Sequence, residues 1–271
     1  MAEKPKIRLA ATLVLARDST DGLEVFMVVR HHQIDFASGA LVFPGGSADK
    51  SDRDPRLLGL ADGLEGLEEE QRVVRVSAAR EAFEECGVLL ARPNGSDAVI
   101  DGIRAAELGS TYRKSLESGE IGMADIMERE GLRLATDLLA HYAHWITPNH
   151  MPKRFDTHFF VAPTPAGHVL SHDGYEAVDS IWIRPSQALV DAENGKRTVI
   201  FPTRLNLEKI SGCATVEEAI TLCNSAPIVT VMPVMKMVDG EKYMQIPAAA
   251  GYGKSEYLVK TGPAGSIPVS R

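Results

Sequence analysis

Long apolar runs are missing from this sequence. No stretch approaches the roughly 18 uninterrupted apolar residues of a bilayer-spanning helix, so no membrane segment is expected. Cysteine is scarce: Cys86, Cys213 and Cys223 form neither an even-numbered framework nor a C-x-x-C spacing. A disulfide scaffold and a cysteine zinc site are thereby excluded, and the pattern fits a reducing compartment, with the cytoplasm as the expected location. Positive charge is in deficit, 29 Lys plus Arg against 37 Asp plus Glu, a net charge of −8. Such a surface repels a polyphosphate backbone, so no nucleic-acid partner is expected, and a small phosphorylated ligand fits only where a cation bridges it. The start, Met-Ala-Glu-Lys-Pro-Lys, sets an acid among its bases and does not read as a signal peptide. What is present, 44% apolar and 24% charged residues in a chain of 271, is the composition of a soluble globular protein.

Residues 7–16 and 23–30 are rich in Val, Leu and Ile around a turn at Asp21-Gly22, which predicts a hairpin. A further apolar run, 39–43, stops at Pro44-Gly45-Gly46, where a strand should end in a tight loop. Residues 47–66 are small and polar without a sustained period and read as an exposed excursion. From 68 to 86, Val73, Val76, Ala79, Phe83 and Cys86 recur at steps of three and four, the clearest helical stripe in the chain. A strand is expected at 88–91. Residues 97–140 lose β-branched alternation and carry Ile103, Leu108, Tyr112, Leu116, Ile126 and Leu132 at helical intervals, so we expect an inserted set of short helices. Strands at 143–147, 157–162 and 178–183, helices at 202–210 and 216–222, and a hairpin turning at Asp239-Gly240 complete the reading.

Two acidic clusters sit on the 68–86 helix. Glu68, Glu69 and Glu70 lie at its start, where the helix dipole favours them by about 0.3–1 kcal/mol. Glu81, Glu84 and Glu85 lie in its last turns before the capping Gly87, where the same dipole opposes them. At 100° per residue they share an arc of about 100° and repel one another. A divalent cation would reverse that sign, and hard oxygen ligands on one face suit Mg²⁺ or Mn²⁺ with water and phosphate completing the shell. Arg80 is expected to neutralise one of the three. Pro44-Gly45-Gly46 offers backbone without side-chain bulk, a shape that lets phosphate or a metal site approach.

Taken together, these residues resemble the Nudix hydrolases, whose box reads G-x5-E-x7-R-E-U-x-E-E-x-G-U with U aliphatic. Arg80 to Val88 fits the second half apart from the small Ala82, and Gly46 matches the opening glycine. The stretch between them, residues 47–79, exceeds the box by about 20 positions. Arg72 stands where the box has its first glutamate, so that group is either lost or replaced by Asp49, Asp52 or a nearby Glu. Residues 39–52, Gly-Ala-Leu-Val-Phe-Pro-Gly-Gly-Ser-Ala-Asp-Lys-Ser-Asp, resemble the extra motif of the coenzyme A diphosphatases, with Leu41 for its valine. His144 to Pro148 and Arg154 to Thr157 are similar to the branch of nucleoside diphosphate-linked moiety X motif 19.

The resemblance implies an α+β fold, a mixed sheet between helices as in an α/β/α sandwich, formed as a single Nudix domain over 1–271. It carries the 47–66 insertion within the box and the 97–140 helical insertion. It implies metal-dependent hydrolysis of a nucleoside diphosphate linked to another moiety, with coenzyme A or acyl-coenzyme A as first choice. ADP-ribose, NADH and sugar nucleotides are the alternatives, followed by a non-catalytic nucleotide-sensing module. Glu81, Glu84, Glu85 and, on the loop before Trp182, Glu176 are the expected ligands of Mg²⁺ or Mn²⁺. Glu81 and Glu85 are candidates for activating water, and Arg80 orients the carboxylates. Glutamates at their reference pKa of about 4.3 would be ionised at neutral pH. Gly45, Gly46 and Arg30 are the expected substrate contacts, with Lys153 and Arg154 as further phosphate-binding candidates. The eight histidines show no H-E-x-x-H pattern and are expected to be structural or on the surface. A homodimer is compatible with this reading.

Overall fold

The computed structural model describes residues 6–30, 39–170 and 177–259. The predicted opening hairpin forms as β1 (Ile7–Ser19) and β2 (Gly22–Arg30), followed by β3 (Leu41–Val42) and β4 (Gly45–Ser47). Helix α1 (Pro55–Gly59) precedes α2 (Glu69–Cys86). Next come β5 (Ala91–Pro93), α3 (Gly102–Glu117), α4 (Met123–Glu130) and β6 (Leu132–Leu134), then β7 (Ala140–Ile146), β8 (Arg154–Pro163) and β9 (Ala177–Ile183). The last part holds α5 (Pro185–Glu193), α6 (Phe201–Ile210), α7 (Val216–Asn224), β10 (Thr230–Val231), β11 (Val234–Val238), β12 (Glu241–Gln245) and β13 (Glu256–Leu258).

The main sheet runs β10-β7-β8-β1-β2-β3, with β4 also on β1 and β9 also on β2. β1 lies parallel to β8 and antiparallel to β2 and β4, so the sheet is mixed, as expected. Successive side chains of a strand point to opposite faces, and this alternation sorts the core. Ala11, Leu13, Leu15, Phe26, Val28 and Phe160 face α2, whereas Val14, Ala16, Val25, Met27, Phe159 and Val161 face the layer of α6 and α7. The result is the α+β, helix-sheet-helix arrangement. Among the described residues no helix is long and apolar enough to cross a membrane, and no disulfide joins the three cysteines.

Helix α2 is buried on two sides. Val74, Ala78, Ala82 and Cys86 pack on the sheet, while Val76, Ala79 and Phe83 pack against the cluster built from α1, α3 and α4. The sequence stripe captured only part of this, because a helix held between two layers no longer shows a single apolar face. Gly87 ends it in the left-handed region at φ 72°, with its N–H and that of Val88 returning to the carbonyls of Phe83 and Ala82.

The structure corrects three expectations. The strand expected at 88–91 begins only at Ala91. The 97–140 segment is helical only through Glu130, after which β6 pairs with β5. Residues 47–66 are not an exposed excursion, since Asp52, Leu57 and Leu64 are buried there, the leucines in the cluster under α2. Two leucines in a polar stretch leave no period to read. Leu57→Ala should therefore lower stability by about 2–5 kcal/mol, as deletion of any well-packed core leucine does, measured by urea unfolding. A loss within a few tenths of a kcal/mol would return the segment to a dispensable surface loop.

Candidate functional site

The site is assembled where the end of α2 meets β4. Pairing with β1 places Gly45 opposite Thr12 and Gly46 opposite Ala11. Gly45 has φ 147°, and a Cβ there would lie 2.3 Å from the carbonyl oxygen of Ala11. A Cβ on Gly46 would lie 2.6 Å from a carboxylate oxygen of Glu81. The Gly45 N–H donates to Glu85 Oε2 at 2.8 Å. The glycine pair thus admits the two glutamates against the strand, which differs from an open approach for a ligand phosphate alone.

Arg80 binds more carboxylates than expected. Its Nε and Nη2 donate to the two oxygens of Asp52 at 2.8 and 3.0 Å, and its Nη1 reaches Glu84 at 2.6 Å and Glu81 at 2.9 Å. A further Nη2 bond goes to the carbonyl of Ser47 at 3.1 Å. All five guanidinium donors have acceptors in this arrangement. Asp52 is fully buried and lies 28 residues before Arg80 in sequence, so of the alternatives for the missing box glutamate it is Asp52 that holds the arginine. Asp49 instead accepts from the Ser51 N–H, which lowers its pKa.

Burial pushes the Glu81 carboxyl up to about 7 and raises that of Glu84 as well, even beside Arg80. Without a cation these glutamates therefore depart from their reference values. Desolvation of crowded carboxylates is unfavourable to the ionised form, and a hard divalent cation is the group that would restore it. A set of clustered carboxylate oxygens fits a hard divalent cation. Arg113 of α3, which sequence reading did not single out, donates to the carbonyl of Glu84 at 2.6 Å and places a cation at the negative end of α2. Its signal lay only in tertiary contact.

Beside the cluster opens a cleft of about 530 Å³, lined by Ser47, Asp49, Arg80, Glu84, the 116–122 loop of the helical insertion, and Asp125. The loop adds Glu117 and Glu120 to that wall. Gly45, Gly46, Arg80, Glu81, Glu84 and Glu85 are thus brought together. Arg30 ends β2, whose neighbour β3 leads into Gly45, and Glu176 lies outside the described residues. Arg154 is buried and donates to the carbonyl of Thr147 at 3.1 Å, so its role is structural rather than phosphate binding. Lys153 is exposed just before β8. His144, Asp156 and His158 bring potential ligand atoms within 4.8 Å of one another, but His144 already bonds to Asp156 and stacks on His158 with ring centroids 4.0 Å apart. Parallel stacked rings do not aim their lone pairs at one point.

Comparison with known proteins gives a consistent result. The family described as NUDT19 Nudix domain matches residues 65–209, more than half of the chain. An acyl-coenzyme A diphosphatase NUDT19 of Xenopus laevis is 23% identical over 242 residues, covering 74% of this chain and 63% of that protein. Putative nudix hydrolase 7 of Caenorhabditis elegans is 27% identical over 204 residues, covering 75% and 60%. The chain thus spans less than two thirds of the length of these curated relatives. A crystal structure of a NUDIX hydrolase from Alicyclobacillus acidocaldarius superposes with a TM-score of 0.65 at 27% identity, covering 80% of this chain and 96% of that one.

Removing Asp52 would leave the buried Arg80 Nε without an acceptor and take one acceptor away from Nη2. Asp52→Ala should cost about 3–5 kcal/mol in urea unfolding, whereas an exposed pair such as Arg53–Glu69 should contribute less than about 1 kcal/mol. Equal small effects at both positions would remove Asp52 from the site's framework.

Proposed function

Because the chain belongs to the NUDT19 Nudix domain family, we propose that it hydrolyses the diphosphate of a nucleotide linked to another moiety, using Mg²⁺ or Mn²⁺. Coenzyme A or an acyl-coenzyme A is the proposed substrate. The observation that carries the reaction class is the gathering of Glu81, Glu84 and Glu85 around Arg80 and the Gly45-Gly46 pair, with Glu84 on the wall of an adjoining acidic cleft. An anionic diphosphate is repelled by such a wall unless cations intervene, and three clustered carboxylates are suited to hold them. Retention of all three argues against a purely sensing module.

Glu84 and Glu85 would hold the cation, with Glu81 either joining them or accepting the proton of the attacking water. A bound divalent cation would neutralise the phosphate oxygens and favour departure of the leaving phosphate. The chain's own contribution is positional. Gly45 holds Glu85 through its N–H, and Arg80 holds Glu81 and Glu84 while fixed by Asp52. In the reaction, water oxygen bonds to one phosphorus in line, its proton passes to a carboxylate, and the bond from that phosphorus to the bridging oxygen breaks. Coenzyme A would yield 3′,5′-adenosine bisphosphate and 4′-phosphopantetheine.

The substrate rests on two supports of a different kind, the resemblance of residues 39–52 to the coenzyme A motif and the printed name of the Xenopus laevis relative. Likeness of motif and fold fixes a reaction class better than a substrate.

Glu84→Gln and Glu85→Gln should each reduce turnover by on the order of 100-fold or more while leaving the fold intact, since like charges are relieved. Unchanged turnover in both would sink the metal assignment. A site that reads the 3′-phosphate should also prefer coenzyme A over dephospho-coenzyme A in kcat/KM. A clear preference for ADP-ribose or NADH would overturn the substrate while leaving the glutamates in place.

A further inference from the structure

Helix α2 carries another arginine, Arg75, in a different setting from Arg80. Arg75 lies six residues before Glu81, about 120° away around the helix, and points toward β7 and β8. Its Nη1 donates to the carbonyl of Leu139 at 2.9 Å, and the guanidinium lies 4.9 Å from the centre of the Phe160 ring. Its Nε is buried and has no acceptor. Among the described residues no carboxylate pairs with it, in contrast to Arg80 and Arg92. Burial lowers its pKa, the sign of a cation held from water without a counter-charge.

Arg75 lines a cavity of about 720 Å³ that shares no residue with the acidic cleft. The one acid in its lining, Asp137, has both carboxylate oxygens bonded to Arg92, at 2.5 and 2.9 Å. The other polar groups are His141, Asn224 and Ser225, and the remaining wall is mainly apolar, including Leu138, Ile220 and Ile228. His141 is pushed down to about 3 by burial, so its ring is neutral at pH 7 and, with its Nε2 engaged by His158 at 3.1 Å, adds no charge to the cavity. A half-buried guanidinium whose buried Nε lacks an acceptor is unfavourable by itself, and an anion is the group that satisfies both deficits.

We propose that this cavity binds a small organic anion, with its carboxylate or phosphoryl head on Arg75 and its apolar body against Leu138, Ile220 and Ile228. The site is distinct from the glutamate cluster, and its test is independent of the proposed reaction. Because both sites share α2, occupancy would act on the same helix that positions Glu81, Glu84 and Glu85.

Binding of sodium hexanoate and of sodium sulfate to the full chain would be measured by calorimetry and by thermal unfolding, against sodium chloride at equal ionic strength. Hexanoate tests a carboxylate head with an apolar body, and sulfate tests a tetrahedral head like phosphoryl. Saturable binding of either probe, weakened by at least about tenfold in Arg75→Met, supports the site, and the tighter probe identifies the head group. Arg75→Met keeps the apolar stem and removes an uncompensated charge, so it should fold. Ala226→Trp, at the exposed rim of the cavity, provides the same test by filling it. Absence of saturable binding of both probes to the unaltered chain, or binding in both variants as tight as in the unaltered chain, overturns the proposal.

Discussion

One guanidinium holds the candidate site together. Arg80 connects Asp52 from the segment after β4, the carbonyl of Ser47 in β4 itself, and Glu81 and Glu84 on α2. A buried ion pair is costly to break and contributes little when replaced whole, so its value here is geometric. It fixes three chain segments relative to one another. Its charge is also insufficient. A single cation faces Asp52, Glu81 and Glu84, with Glu85 close by on the Gly45 N–H, and the balance left negative is what a divalent cation would correct.

The helix that carries these glutamates is positioned by apolar contacts on both sides. Val74, Ala78 and Ala82 are small enough to lie close on the sheet, and Phe83 anchors the opposite side among the helical insertion. Interiors packed at this density leave side chains few alternative positions. The close approach of Gly46 to Glu81 is part of the same constraint. Substituting either glycine would push against a strand carbonyl or a buried carboxylate, with no flexible solvent-facing group to yield.

Legibility in the sequence followed locality. Arg80 to Val88 is contiguous, so its charges, their shared arc and the Gly87 cap could be read directly. Asp52 could be named only as one of several substitutes for the absent glutamate, because nothing in sequence shows which acid folds back on an arginine 28 residues later. The Gly45-Gly46 pair was recognised as a place of close approach, but what approaches, Glu81 and Glu85, is set by tertiary packing. Leu57 and Leu64 gave no period and were read as exposed. Arg113 and Arg75 were not singled out in the sequence, because the carbonyl that one meets at the end of α2 and the cavity that the other lines are set by tertiary packing.

Clustered carboxylates, on the proposed reading, make this chain a divalent-cation-dependent diphosphatase. ³¹P NMR of coenzyme A incubated with the purified chain tests it most directly, in Mg²⁺ or Mn²⁺ and, in parallel, with excess chelator. With metal, the coupled diphosphate resonances should disappear as new monophosphate resonances grow, and with chelator the diphosphate should persist. Persistence of the diphosphate with metal present in coenzyme A, ADP-ribose and NADH alike, or equal loss of the coenzyme A diphosphate in chelator, would contradict a metal-dependent diphosphatase.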